Sequence, residues 1–254
     1  MPDIAVYSLS GIYDGEGFYR EHLSGGRAVF RDLTGLSSVN GYCSEGSLEQ
    51  LSALIQKDRD TRIHFIDNGN YHYLSYLWMK TLMDNKHDGY GLIYLDNHDD
   101  TQEAAFGGLL SCGSWVRKAR EDLNGLHNIK WIGPENYMQD LMFEGPDSSG
   151  LHKYPAFISV DKDILSEDEV RTNWDQGTMT LPELLDILDI LINDPHISVC
   201  GIDVCGGPDR SAPDSDLIKD DEVNREILSF LDRKYLPLTR GRIAPVGTDA
   251  PGPV

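Results

Sequence analysis

No apolar run in this 254-residue chain is long enough to cross a bilayer, so no membrane-spanning helix is expected. Basic residues are scarce. Twenty-two Lys and Arg stand against 42 Asp and Glu, a formal charge of −20. Nucleic-acid binding needs surplus cations for phosphates, and nucleic acid is therefore not an expected partner. The four cysteines, Cys43, Cys112, Cys200 and Cys205, form no CxxC pair. They read as free thiols of a reducing cytoplasm, with none placed to select zinc. The segment Met1-Pro2-Asp3-Ile4 lacks a basic stretch followed by an apolar one, so no signal peptide is expected either. Internal repeats and low-complexity linkers are also missing.

What is present is alternation. Hydrophobic residues make up 40% of the chain, enough for a substantial core. Short apolar runs at Ile4–Leu9, Arg62–Asp67, Leu92–Leu95, Asn128–Ile132, Ala156–Val160 and Ile197–Val204 read as strands. Between them, Ser47–Lys57, Tyr71–Met83, Trp115–Leu123, Leu181–Ile192 and Leu217–Tyr235 carry helical spacing. Ser47 with Gln50 suggests a capping box, and Pro182 sits in the first turn of its helix. This pattern predicts an α/β fold, with a central, mainly parallel sheet covered by helices on both faces. One domain over residues 1–254 is expected, with a loose Pro- and Gly-rich tail from about 240. Ligands in such sheets bind beyond the carboxyl ends of the strands.

Three of the expected strands end in polar clusters. Leu92-Ile93-Tyr94-Leu95 runs into Asp96, His98 and Asp100 at alternate positions, which share one side of an extended chain. Ala156–Val160 runs into Asp161 and Asp163. The turn after Ile66 carries Asn70, Tyr71 and His72. Taken singly, His72 could be a packed histidine and Asp161 with Asp163 a helix cap. A calcium loop at Asp96–Asp100 fits poorly, because His suits calcium badly and Thr101 stands where that loop needs glycine. Together, four converging carboxylates would repel one another unless cations neutralise them. Two divalent ions would do so. Oxygen-rich ligation with some imidazole favours Mn2+, with Fe2+, Co2+, Ni2+ or Zn2+ as alternatives. Such a pair lowers the pKa of a shared water and supplies hydroxide at neutral pH.

The sequence resembles the arginase–agmatinase (ureohydrolase) family. Its GGxH-type turn, DxHxD and SxDxD motifs occur in the same order as Gly69-Asn70-Tyr71-His72, Asp96-Asn97-His98-Asp99-Asp100 and Ser159-Val160-Asp161-Lys162-Asp163. The similarity extends over roughly residues 60 to 210. It includes Ser111–Lys118, Gln176–Thr180 with Leu184-Leu185, and Gly201–Val204. The resemblance implies a three-layer α/β/α metallohydrolase domain, often assembled into trimers or hexamers. It implies metal ligands at His72, Asp96, His98, Asp100, Asp161 and Asp163. Asp96 and Asp161 would bridge two Mn2+ ions, His72 and Asp100 would complete one site, and His98 and Asp163 the other. The implied reaction is hydrolysis of a C–N bond in a small guanidine, amidine or amide, with Asp100 relaying the proton to the leaving amine.

Two positions depart from the family pattern. Cys112-Gly113 stands where members have a proton-shuttling His before Gly, and Gly206 stands where guanidine-cleaving members have a Glu. Cys112 is either a small buried hydrophobe or a group facing the metals as acid, base or soft ligand. Losing the Glu removes a directional contact to a guanidinium, so the substrate is left open. The alternatives are a deacetylase-like amide hydrolase using one zinc, and a metal-bound scaffold without catalysis. His64, His87, His127, His152, His196, Trp174 and Tyr73 could line a pocket, but their spacing gives none of them a role.

Overall fold

The computed structural model describes residues 1–84, 86–104, 107–133 and 153–240. His152 and the tail from 241 onward lie outside the described residues, so the expectations placed on them are untested. Seven parallel strands form the central sheet: β1 (Ile4–Ser8), β2 (Ala28–Asp32), β4 (Ile63–Phe65), β5 (Tyr90–Leu95), β7 (Leu126–Ile132), β8 (Tyr154–Asp161) and β9 (Ile197–Cys205). Their order is β2-β1-β4-β9-β8-β5-β7. A two-stranded antiparallel ribbon joins β3 (Tyr42–Cys43) to β6 (Leu110–Ser111).

Alternation along the strands divides the core into two. Ile63 and Phe65, Ile93 and Leu95, and Ile158 and Val160 face one side, where they meet α5 (Leu181–Asn193), α6 (Asp214–Lys234) and the start of α7 (Leu236–Arg240). Leu92, Tyr94 and Phe157 face the other, against α2 (Glu45–Lys57), α3 (Leu74–Leu82) and α4 (Trp115–Asp122). The result is a three-layer α/β/α sandwich, as the sequence pattern predicts. No helix among the described residues is long and apolar enough to cross a membrane.

Several boundaries differ from the sequence reading. The expected helix over Ser47–Lys57 begins two residues earlier, at Glu45. Ser47 does not cap it; its hydroxyl donates to the Ser37 carbonyl at 2.7 Å. The segment from Tyr71 is broken into a turn of 3-10 helix at Gly69–Tyr71 followed by α3. A full capping box appears instead at Thr180 and Glu183, where α5 starts. The edge strand β2 and the five-residue helix α1 (Arg20–Ser24) were not expected. Beyond Ala28, β2 is only half-buried or exposed and ends in Arg31 and Asp32, so its apolar signal is short.

Two buried polar devices fix the carboxyl edge of the sheet. Asp67 accepts hydrogen bonds from the Leu9 and Ser10 amides (2.7 and 2.9 Å), the Ser10 hydroxyl (2.6 Å) and the Asn68 amide (2.8 Å). It thereby ties the end of β1 to the end of β4 while holding φ at +77°. Lys162, just past β8, is fully buried and pairs with Asp220 and Asn224 of α6. Asp67→Ala leaves two buried amides without acceptors, at about 1–3 kcal/mol each. Urea unfolding is expected to show a loss of about 3 kcal/mol; a loss under about 1 kcal/mol would contradict this role.

Candidate metal centre

β4, β9, β8 and β5 are neighbours, so the turns after them meet at one edge of the sheet. This brings together all six residues expected as ligands. The Nδ1 atom of His72 lies 3.1 Å from Asp96 Oδ2, 3.1 Å from Asp100 Oδ2 and 3.4 Å from Asp161 Oδ2. Nδ1 of His98 lies 2.8 Å from Asp163 Oδ2 and 3.6 Å from Asp96 Oδ1. Asp96 therefore belongs to both groups. His98 is part exposed, while the four carboxylates and His72 are buried.

The local backbone explains why these side chains converge. Asp96 and Asp161 each give one oxygen to the amide two residues ahead: Asp96 Oδ1 accepts from His98 N (2.7 Å) and Asp161 Oδ1 from Asp163 N (3.0 Å). Their second oxygens are left facing the cluster. Asp163 Oδ1 accepts from the Asn97 amide at 3.0 Å, locking the β5 turn to the β8 turn. Asp100 sits at φ +48° and accepts from the Trp115 indole N–H at 2.6 Å. The left-handed backbone there turns the carboxylate inward.

His72 is held in one ring orientation. Ser159 donates its hydroxyl to Asp203 Oδ1 at 2.5 Å. Its oxygen is then the acceptor for His72 Nε2–H, 2.9 Å away. Nε2 is thereby committed to Ser159, and Nδ1 is the atom turned toward the three carboxylates, which hold a proton on it until a metal takes its place; this is how a metal-binding histidine is oriented from behind.

Asp96, Asp100, Asp161 and Asp163 have only His72 and His98 as cationic partners within ion-pair distance among the described residues. Lys162, adjacent in sequence, is committed to Asp220 on the far side. Burial is the main force raising all four carboxyl pKa values, and like charges add to it; Asp161 and Asp163 are each pushed up to about 6. Asp96 Oδ2 is buried and has no hydrogen-bond partner. A buried carboxylate oxygen left without a donor is costly unless a cation meets it. Hard oxygen donors with two imidazoles, surplus negative charge and an orphaned oxygen fit divalent metal.

A cavity of about 150 Å3 opens onto the cluster, walled by Gln102, Ser111, Cys112, Gly113 and Trp174. Cys112 therefore faces the carboxylates, although burial and then Asp100 push its thiol up to about 11, away from thiolate. Trp174 stands over His98 and donates its N–H to Asn70 Oδ1 at 3.0 Å. It can approach because residue 69 is glycine: a Cβ there would come within 2.6 Å of the indole. Of the other polar groups singled out from sequence, none among the described residues lines this cavity. His64 is buried against Trp78 and neutral, its pKa pulled to about 3 by burial. Tyr73 donates to the Val39 carbonyl. His87, His127 and His196 lie elsewhere, at least partly exposed.

One residue reverses an expectation. Cys205, read from sequence as an unplaced free thiol, ends β9 with Sγ 3.2 Å from Asp161 Oδ2. A thiol is placed at the cluster after all. The strand order that puts β9 between β4 and β8 carries it there, and sequence spacing alone could not reveal that order. The next residue, Gly206, has φ +88°, and a Cβ on it would run into Asp161 Oδ1 and stand 2.6 Å from the Lys162 amide. No side chain fits there in this backbone.

These features set two expectations. The folded, metal-free chain keeps protons on Asp161 and Asp163 up to about 6, whereas the unfolded chain gives them up from about 4. Metal-free stability therefore falls as pH rises through that window. His98, raised to about 11 by its hydrogen bonds to Asp163 and Asp96, acts in the same sense at higher pH. Metal competes with these protons, so the gain in Tm on adding Mn2+ is expected to be larger at about pH 7.5 than at about pH 5. An equal or smaller gain at the higher pH would contradict the linkage. Gly206→Ala is expected to destabilise by at least about 2 kcal/mol and to weaken Mn2+ retention, read by urea unfolding and metal analysis.

No family model matches this chain, and no curated protein matches it. Solved structures do. Proclavaminate amidinohydrolase from Streptomyces clavuligerus superposes with a TM-score of 0.64 at 14% identity, covering 92% of this chain and 93% of that one. Arginase from Bacillus subtilis gives 0.61 at 14% identity, over 93% and 100% of the two chains. Formimidoylglutamase from Bacillus subtilis gives 0.56 at 16% identity, over 93% and 88%. The chain has the arginase/ureohydrolase fold.

Proposed function

We propose that this protein is a metal-dependent hydrolase of the ureohydrolase type, cleaving a non-peptide C–N bond in a small molecule. The observation that carries the reading is the arrangement of Asp96, whose carboxylate is shared between two groups of ligating atoms, one with His72 and Asp100 and one with His98 and Asp163. Asp161 joins the first group through Oδ2. In this reading the six residues hold two divalent cations, and the oxygen-rich set of Asp96, His98 and Asp163 suits Mn2+. When bound, the cations activate water for attack on an sp2 carbon and offset the negative charge that develops there.

The chain's own residues have distinct tasks. Ser159 and Asp203 hold His72 in its ligating tautomer. Trp115 holds Asp100 by one oxygen, and Asp100 relays a proton to the departing amine. Trp174 and Gln102 narrow the mouth and limit access of bulk water. The cavity, about 150 Å3, admits a compact planar head group rather than a folded polymer. Gly206 offers no carboxylate for a guanidinium, which favours an amidine or amide over arginine or agmatine.

Mn2+-loaded protein is expected to release urea from arginine, agmatine or guanidinobutyrate, or formamide from formimino compounds, with the free amine as the other product in each case. Formimino substrates are expected to be cleaved fastest. Asp161→Ala is expected to lower kcat by at least about 10^3-fold, the scale on which loss of one preorganised charge-stabilising group acts. Inertness toward all of these and toward acetylated amines would contradict the enzymatic reading, as would activity that survives in Asp161→Ala.

A further inference from the structure

Cys205 is fully buried at the end of β9, and its thiol meets a carboxylate rather than only apolar neighbours. Its Sγ lies 3.2 Å from Asp161 Oδ2, which is itself 3.4 Å from His72 Nδ1. Ligating atoms of His72, Asp161 and Cys205 all lie within 4.8 Å of one another. Two donors bound to one cation at about 2.1 and 2.3 Å stand roughly 3.1–3.6 Å apart, for angles between right and tetrahedral. The sulfur-to-oxygen separation falls in that range. A second observation points to the same place. Asp96 Oδ2, buried and without a hydrogen-bond partner, lies 3.1 Å from the same His72 nitrogen. Three residue types thus turn donor atoms toward one small volume, and one of those atoms, Asp96 Oδ2, has only the His72 ring beside it.

Building on the metal-centre reading above, we propose that Cys205 is a ligand of the cation held by His72 and Asp161. Its thiolate shifts this position from Mn2+ toward a borderline cation such as Co2+ or Zn2+. On binding, the S–H bond breaks, a sulfur–metal bond forms and the proton leaves to solvent. The neighbouring position, formed by Asp96, His98 and Asp163, contains no sulfur and keeps its preference for harder ions.

The test uses the full chain loaded with Co2+, with bound cobalt measured alongside the near-ultraviolet spectrum. Wild type and Cys112→Ser are expected to show a thiolate-to-cobalt charge-transfer band. Cys205→Ser is expected to lose the band while keeping cobalt, and to retain Zn2+ over Mn2+ less well by roughly tenfold or more. X-ray absorption of zinc-loaded Cys112→Ser needs no change at position 205, and a sulfur neighbour at about 2.3 Å is expected there. Bound cobalt without the band, a band that survives in Cys205→Ser, or zinc without a sulfur neighbour would overturn the ligand role and leave the metal centre standing. Failure to bind Co2+, Zn2+ or Mn2+ at all would overturn both.

Discussion

Four buried carboxylates at the ends of neighbouring strands are the constraint that the rest of this structure obeys. Asp96, Asp100, Asp161 and Asp163 lie within reach of two imidazoles, with no Lys or Arg ion-paired to them among the described residues. Such a group can persist without metal only by holding protons, and burial has raised its pKa values accordingly. The turns are built around this. Two aspartates each anchor one oxygen on the amide two residues ahead, which frees the other. Ser159 and Asp203 aim the second ring nitrogen of His72 at the cluster. Lys162, which could have neutralised the cluster, is drawn instead to Asp220 of α6.

The strand-ending motifs were legible because a period of two at the end of a parallel strand has one structural meaning. Asp96, His98 and Asp100, with Asp161 and Asp163, therefore came to one edge as expected, and alternating apolar segments gave the layers. What the sequence could not show was lateral order. β9 inserts between β4 and β8, and only that order carries Cys205 to Asp161. Trp174 reaches the cavity from a loop, through the space that Gly69 leaves, and no periodicity marks such an approach. Asp67 looked like the last residue of a strand, yet it is a hydrogen-bond hub in a left-handed conformation. β2 leaves little mark on the sequence because an edge strand needs few apolar residues.

Gly206 and Cys112 both stand close to the carboxylates, Gly206 beside Asp161 and Cys112 in the cavity wall. The backbone at Gly206 and the Asp161 carboxylate leave no room for a Cβ. Cys112 lines the cavity as a protonated thiol. An arginase-like fold at 10–16% identity fits such a pattern. The fold alone does not name a substrate, so function rests on the residues of the charged edge and the cavity walls.

The central claim is that the shared carboxylate of Asp96 serves two cations at once. Native mass spectrometry of the Mn2+-loaded full chain, beside Asp96→Asn, tests it most directly. The account predicts two manganese ions per chain in the wild type, and a loss at both positions when the one shared residue is changed. A single ion in the wild type, or two ions that persist in Asp96→Asn, would contradict it.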